Sequence, residues 1–323
     1  MRPSSDYSVA EWLRGKPFLH GFKLCRNELV SASFARSRPA GLERFLSDNA
    51  HRARDRVTVA IAFNTPWVID LLLRTTRLHL RGTLVVVDNS SKPDARRAIE
   101  RICRDGDIPY IGLPRNPERH PCRSHGISMN WAHANLISAW KPDIFGYIDH
   151  DLFPLDVLDP AERLAGRAVY GQQNRSSWGW SLWAGYCFFN ARKIEGFRPD
   201  FNHDVPRHLD TGGRNWVRIY RHLAEGQYGF ADDEQIPVDA VRDGERLHIQ
   251  SVDRCIHVGG ASFGPLRRIV KDAGVIERLV ERIEAGEVFD DIVRYDSVDG
   301  YPIQARPIRP LPSHNFPARP RSA

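Results

Sequence analysis

The sequence predicts an α/β domain on a mostly parallel sheet with helices on both faces, and three features of it lead there. Apolar, β-branched runs alternate with segments of helical periodicity. The runs are continuous rather than every-second-residue, as in strands buried on both faces. Polar residues gather directly after the runs, at the carboxyl ends where open α/β sheets place their ligands.

Taken in order, residues 1–56 form a basic N-terminal arm with one expected helix, where Leu42, Phe45 and Leu46 fall at helical spacing. Val57–Ala62 is the first strand, followed by the turn Asn64-Thr65-Pro66 and a leucine-rich helix from Val68 to Leu80. The alternation continues with a strand at Thr83–Asp88 and a helix at Pro93–Arg104, then a strand at Ile108–Leu113 and a helix at Ile127–Trp140. A fourth strand spans Asp143–Asp149, and a later helix is expected over Trp216–Leu223. The body of the domain runs to residue 301. The last 22 residues, 302–323, contain six prolines and read as an extended Pro/Arg-rich tail.

Composition bounds the function. With 323 residues, 41 % hydrophobic and 27 % charged, the chain can bury a large core, which excludes a disordered chain or a disulfide scaffold. It contains no run of about 18 uninterrupted apolar residues, and its first residues lack the apolar centre of a signal peptide, so a cytoplasmic protein is expected. Five dispersed cysteines without a CxxC pair suggest small buried hydrophobes. The net charge of +6 resides at the ends: 1–56 hold 11 Lys+Arg against 6 Asp+Glu, and 302–323 hold 4 Arg and no acid, leaving −3 for the middle. Such a middle is a poor reader of nucleic acid. The basic ends leave two options open, a solvated arm or peripheral contact with an anionic membrane or polymer.

Three strand ends carry polar groups: Asn64, then Asp88-Asn89-Ser90-Ser91, then Asp149-His150-Asp151. No glycine-rich phosphate loop follows the first strand, so backbone amides alone do not supply a phosphate site there. Asp149 and Asp151, two residues apart at a strand terminus, offer hard oxygens to Mg²⁺ or Mn²⁺. Without a cation or donors the two carboxylates repel each other. Trp178, Trp180 and Trp183 offer faces for a sugar or for core packing, Asp210 precedes a helix start as a cap or a functional acid, and His257 stands before Gly259-Gly260.

From Val57 to Phe263 these elements, in this order, resemble the GT-A-type nucleotide-sugar glycosyltransferases, particularly the family-2-like inverting enzymes. The resemblance implies a Rossmann-like fold with a nucleotide-sugar half at 57–151 and an acceptor half at 152–301. VVVDNSS is similar to the family's second-strand signature, which implies a base contact for Asp88 and a nucleotide contact for Asn64. SHGISMNWAHAN corresponds to the helix after the third strand, implying donor-side roles for Ser124, His125 and Gly126, although the family's arginine-asparagine spacing is absent. IDHDLFP matches the Asp-x-Asp motif, implying that Asp151 with Asp149 serves the metal and the donor, and IHVGGAS supplies His257 as a late metal ligand. HLDTGGRNW occupies the place of the family's Glu-Asp pair, with Leu209 in place of the Glu, and implies Asp210 as the general base. The implied cofactor is Mn²⁺ or Mg²⁺. The implied donor is a nucleotide diphosphate sugar, by preference a uridine diphosphate sugar, and the acceptor is a saccharide, lipid-linked or protein hydroxyl.

Rival readings remain in view. His208, Asp210, His257 and Arg267 fit the spacing of an iron/2-oxoglutarate oxygenase. A nucleotidyltransferase would open with a glycine-rich basic loop, where this chain has Phe63-Asn64-Thr65-Pro66. A sugar-binding module without catalysis requires no base at Asp210. Asp204, Asp232, Asp233 and Glu234 are further acids open to recruitment.

Overall fold

The computed structural model describes residues 2–242, 245–259, 281–282, 285–287, 296–298 and 301–303; Arg267 and most of the Pro/Arg-rich tail lie outside them. Helices α1 (Val9–Leu13), α2 (Lys16–Ala35) and α3 (Leu42–Asn49) precede the first strand. Strands β1 (Arg56–Ala62), β2 (Thr83–Asp88), β3 (Tyr110–Gly112) and β4 (Ile144–Ile148) are parallel neighbours in the order β3-β2-β1-β4. Parallel neighbours need crossovers. These are α4 (Pro66–His79), α5 (Pro93–Asp105) and α6 (Pro121–Ala132), each opened by a proline whose missing N–H costs the first turn nothing. A π-helical turn (His133–Ile137) and α7 (Ser138–Trp140) prolong α6.

The short β5 (Leu152–Pro154) leaves the main sheet straight after β4, and α8 (Pro160–Leu164) follows. β6 (Val169–Ser176), β7 (Gly179–Asn190) and β8 (Tyr228–Phe230) complete a seven-stranded sheet, with β7 antiparallel to β4 and to β6. Helix α9 (Asn215–Arg218) lies between β7 and β8 in the chain. A second, antiparallel sheet joins β5 to β9 (Asp233–Arg242), β10 (Glu245–Val252) and β11 (Cys255–His257) in the order β5-β11-β10-β9.

Pleating divides the core. Val57, Val59, Ile61, Val85 and Val87 pack with Ile127, Met129 and Trp131 of α6 and with Phe34 and Leu42, whereas Ala60, Ala62, Leu84 and Val86 pack with Val68, Leu72 and Ile99 of α4 and α5. That is why the strands read as unbroken apolar runs. Trp131 is fully buried and its indole N–H donates to the Ser37 carbonyl at 2.9 Å, tying α6 to the end of α2. Trp131→Ala is expected to lower the unfolding free energy by about 3–5 kcal/mol, read from the midpoint shift in a urea titration.

Four local expectations change. α6 starts at Pro121 rather than Ile127, because the polar residues before Ile127 hide the helix from a hydrophobic-periodicity reading. The third strand shrinks to Tyr110–Gly112 at the sheet edge. The helix expected over Trp216–Leu223 breaks at Ile219 (φ −133°, ψ −64°) into α9 and a 3₁₀ turn at Tyr220–His222. Cys103, Cys187 and Cys255 are buried as expected, but Cys25 is exposed on α2.

Candidate metal and donor site

The order β3-β2-β1-β4 reverses direction at β1: β2 and β3 lie on one side of it, and the next strand in sequence, β4, lies on the other. Crevices at such reversals are where open α/β sheets bind ligands. Both flanking strand ends are polar, with Asn64 after β1 and Asp149-His150-Asp151 after β4. Because β4 hands the chain directly to β5, and β5 pairs antiparallel with β11, Leu152 stands opposite His257. The Val258 N–H donates to the Asp151 carbonyl at 3.0 Å and closes the junction. Asp149, Asp151 and His257 thereby each offer a ligand atom within 4.8 Å of the others, a separation of 106 residues in sequence removed by one strand pairing.

The imidazole of His257 is oriented by a relay. The Asp233 carboxylate accepts from Gln172 Nε2 at 2.5 Å and from Gln250 Nε2 at 2.8 Å. Its amide N thus committed, Gln250 presents Oε1 to His257 Nδ1 at 2.7 Å. A carbonyl oxygen only accepts, so Nδ1 carries the proton and Nε2, 3.4 Å from Asp151 Oδ1, faces the carboxylates. Burial and the Asp151 charge oppose ionisation of Asp149, but the hydrogen bond from His150 and the charges of His150 and His125 prevail and hold its carboxyl below the usual carboxylate range. Two hard carboxylates and one imidazole Nε2 with its second nitrogen fixed are a donor set that suits Mn²⁺ or Mg²⁺.

Beside it, the residues after β2 form a dense polar network. Asp88 is fully buried and accepts from Tyr110 OH at 2.8 Å and from the Ser90 N–H at 2.7 Å. Asn64, in the left-handed region at φ 54°, clips the β1 and β2 ends together: its N–H donates to Ser90 Oγ, and its Oδ1 accepts from the N–H groups of Ser91 and Lys92. Ser124 Oγ accepts from Asn89 Nδ2 at 2.9 Å, which draws the first turns of α6 into this network. Gly126 lies against the next loop; a Cβ there would stand 2.6 Å from the Phe201 carbonyl oxygen.

Asp210 is exposed, on the loop leading to α9, and its Oδ1 accepts from the Thr211 N–H at 2.8 Å. It is not one of the three clustered ligands. It neighbours Cys122 of α6, whose thiol is pushed up to about 11 by burial together with the Asp210 charge. One turn further along α6, burial depresses the basicity of His125, against the pull of Asp149, Asp210 and Asp151. His125 therefore lies within the electrostatic reach of both the cluster and Asp210. The three tryptophans separate. Trp183 packs on His257 with ring centroids 4.6 Å apart, while Trp180, three residues earlier and on the opposite face of β7, stacks on Tyr220 at 4.7 Å. Trp178 lies under the Arg2 guanidinium at 4.4 Å.

The oxygenase triad does not assemble. Among the described residues the one three-membered group of metal-ligand type is Asp149, Asp151 and His257, and His208 and Asp210 do not join it; the sheets are also not those of a double-stranded β-helix. Sequence reasoning gave no site role to His150, Cys122 or Gln250. Gln250 becomes visible only once β10 and β11 are paired, which sets it opposite His257.

No protein-family model matches the chain, and no curated protein is significantly similar to it. Among solved structures it is similar to glucosyl-3-phosphoglycerate synthase from Mycobacterium tuberculosis in complex with Mn²⁺, UDP and glucosyl-3-phosphoglycerate, at 16 % identity and TM-score 0.31 over 48 % of this chain and 63 % of that one. The match thus spans less than two thirds of that structure. The same synthase with Mn²⁺ and UDP-glucose aligns at 14 % identity and TM-score 0.39 over 77 % of this chain and 83 % of that one. The mannosyltransferase PcManGT from Pyrobaculum calidifontis, in complex with GDP-Man and Mn²⁺, aligns at 13 % and 0.29 over 53 % and 59 %. Likeness at this level assigns no activity to this chain.

Proposed function

We propose that the protein is a metal-dependent glycosyltransferase that moves a sugar from a nucleotide diphosphate donor, by preference a UDP-sugar, to a hydroxyl acceptor with inversion at the anomeric carbon. The observation that carries this reading is the convergence of Asp149, Asp151 and His257 at the carboxyl end of β4, beside the chain reversal. Two carboxylates so close together repel each other unless a cation or donors share the site, and an open hard-ligand site invites the oxygens of a diphosphate. When bound, a divalent ion would neutralise charge growing on the departing diphosphate.

The chain's own residues do the rest. Asp88, Asn64 and Ser124, held by the network around the β1 and β2 ends, form the nucleotide side, with His125 and Gly126 on the same helix. Trp183, packed at a tilt against His257, lies where a sugar ring would pass the cluster, and Trp178 and Trp180 remain candidates for the acceptor side. Asp210 takes the proton of the acceptor hydroxyl as it attacks; its exposure leaves the carboxylate open to an incoming group. A non-catalytic sugar-binding module would hold the same ligands without turnover, so release of UDP from a UDP-sugar panel in the presence of Mn²⁺ is the deciding assay. Release tracking an added acceptor supports the transferase, and donor binding without release contradicts it.

The relay carries its own expectation. Gln250→Ala removes the acceptor that fixes the His257 tautomer, so Mn²⁺ affinity is expected to fall about 10- to 100-fold. Calorimetry measures this without turnover, and ¹⁵N chemical shifts of the imidazole report the tautomer; an unchanged affinity with a changed tautomer would remove His257 from the ligand set.

A further inference from the structure

Helix α2 has two distinct faces, a mixed polar and apolar one turned to the body of the protein and an apolar one turned to solvent. His20, Leu24, Asn27, Ser31 and Phe34 are buried on one of them, against the body of the protein. On the other, Phe18, Phe22, Cys25 and Leu29 recur at steps of four, three and four, which at 3.6 residues per turn confines them to an arc of about 60°. Phe18 is 76 % exposed, Phe22 70 % and Leu29 67 %. α1 extends the surface with Val9 and Leu13, at 76 % and 84 %, and with Trp12 at its border. Phe18 and Phe22 alone, at about 200 Å² each when free, present roughly 300 Å² of apolar surface, and with Val9, Leu13 and Leu29 the patch exceeds what an isolated soluble face carries. A surface helix needs only one apolar stripe. On α2 that stripe faces outward rather than to the core, and it requires an occupant.

The patch is rigidly mounted. A capping box at Ser8 and Glu11 fixes the start of α1, Tyr7 OH meets His20 Nδ1 at 3.1 Å, and the Trp12 ring abuts Phe18 edge-on. Ion pairs Arg26–Glu118 and Glu28–Arg214 anchor α2 to the loops before α6 and after Asp210. Those pairs also decide the residual charge. The acids flanking the patch, Glu11 and Glu28, are consumed by Arg2 and Lys16 and by Arg214 and Arg218. Exposed Arg14 and Lys23 have no acidic partner among the described residues, so the rim of the apolar face is positive.

We propose that the α1–α2 face is a docking surface for an anionic lipid bilayer, with Phe18, Phe22 and Leu29 entering the interface and Arg14 and Lys23 meeting the headgroups. Aromatic and leucine side chains on the buried side, with cations at the rim, are the physical requirements of a helix lying in a membrane interface. A second copy of the chain fits less well, because a two-fold interface sets the same patch against itself and brings the positive rims together. The surface does not depend on the transferase reading. No described helix is long and apolar enough to cross a membrane, so binding here is from one side.

Cosedimentation of the full chain with vesicles tests this. Vesicles of 70 % phosphatidylcholine and 30 % phosphatidylglycerol are expected to retain the protein, and pure phosphatidylcholine vesicles to retain far less. The double variant Phe18→Ser, Phe22→Ser, both sites being solvent-exposed, is expected to keep its thermal melting profile and lose at least about tenfold in partitioning. Arg14→Gln and Lys23→Gln each cost about fivefold on the anionic vesicles. Failure of the wild type to sediment with anionic vesicles, or equal binding by the double serine variant, overturns the proposal. So does a dimer in light scattering that the serine variant converts to monomer, which would identify a second copy as the occupant.

Discussion

Asp151→Ala is expected to abolish the response of the protein to Mn²⁺. Asp151 is nearly buried, its carboxylate lies beside His257 Nε2, and it is the ligand that both neighbouring strand ends converge upon. A unit charge at about 4 Å and an effective dielectric near 20 contributes about 4 kcal/mol, which corresponds to roughly 10³-fold in affinity. At a metal concentration of 100 times the dissociation constant, the wild type should gain about 2.7 kcal/mol of stability. At about 2.1 cal/mol/K of unfolding entropy per residue, that is a rise of about 4 °C in Tm for 323 residues. The variant should show no rise, and donor-dependent turnover should vanish with it. Scanning fluorimetry with and without Mn²⁺ is sufficient, and an undiminished rise in the variant would remove Asp151 from the site.

Asp210→Asn is expected to act differently. Its Oδ1 already accepts the Thr211 N–H, and asparagine can retain that bond, so the loop should stay in place while the basic oxygen is lost. Turnover is expected to fall by about 10²- to 10⁴-fold, the usual contribution of a positioned base. Mn²⁺ and donor affinity should be unchanged, because Asp210 lies outside the metal-ligand cluster. The contrast between the two variants separates binding from proton transfer: loss of donor affinity in Asp210→Asn, or turnover near the wild type, would contradict the assignment.

The parallel half of the fold was legible because β1, β2 and β4 are buried on both faces and therefore carry apolar residues toward both. Of the crossover helices, α4 was legible from its leucines and α4 and α5 from their opening prolines, whereas the first turns of α6 were not. What escaped was set by pairing rather than by local pattern. Asp149 and Asp151 stand two residues apart and announced themselves, but His257 reaches them only through the β5–β11 ladder, and its place as a metal ligand came from family resemblance. Gln250 carried no signal at all, since a glutamine in a strand is unremarkable until its partner across the ladder is known. The tryptophan cluster misled in the opposite direction: compact in sequence, it is divided by the pleat of β7 between two faces of the sheet. Helix α2 was missed because its buried face carries His20, Asn27 and Ser31 while Phe18, Phe22 and Leu29 lie outside, so the apolar periodicity does not mark the face turned to the core. The same property makes its outer face conspicuous in three dimensions.

A crystal equilibrated with Mn²⁺ and UDP, with data collected at the manganese absorption edge, tests directly whether a cation sits where the chain brings Asp149, Asp151 and His257 together. The expected result is a single strong anomalous peak about 2.0–2.2 Å from an Asp151 carboxylate oxygen and from His257 Nε2. A peak elsewhere on the protein, or none at a saturating metal concentration, would contradict it.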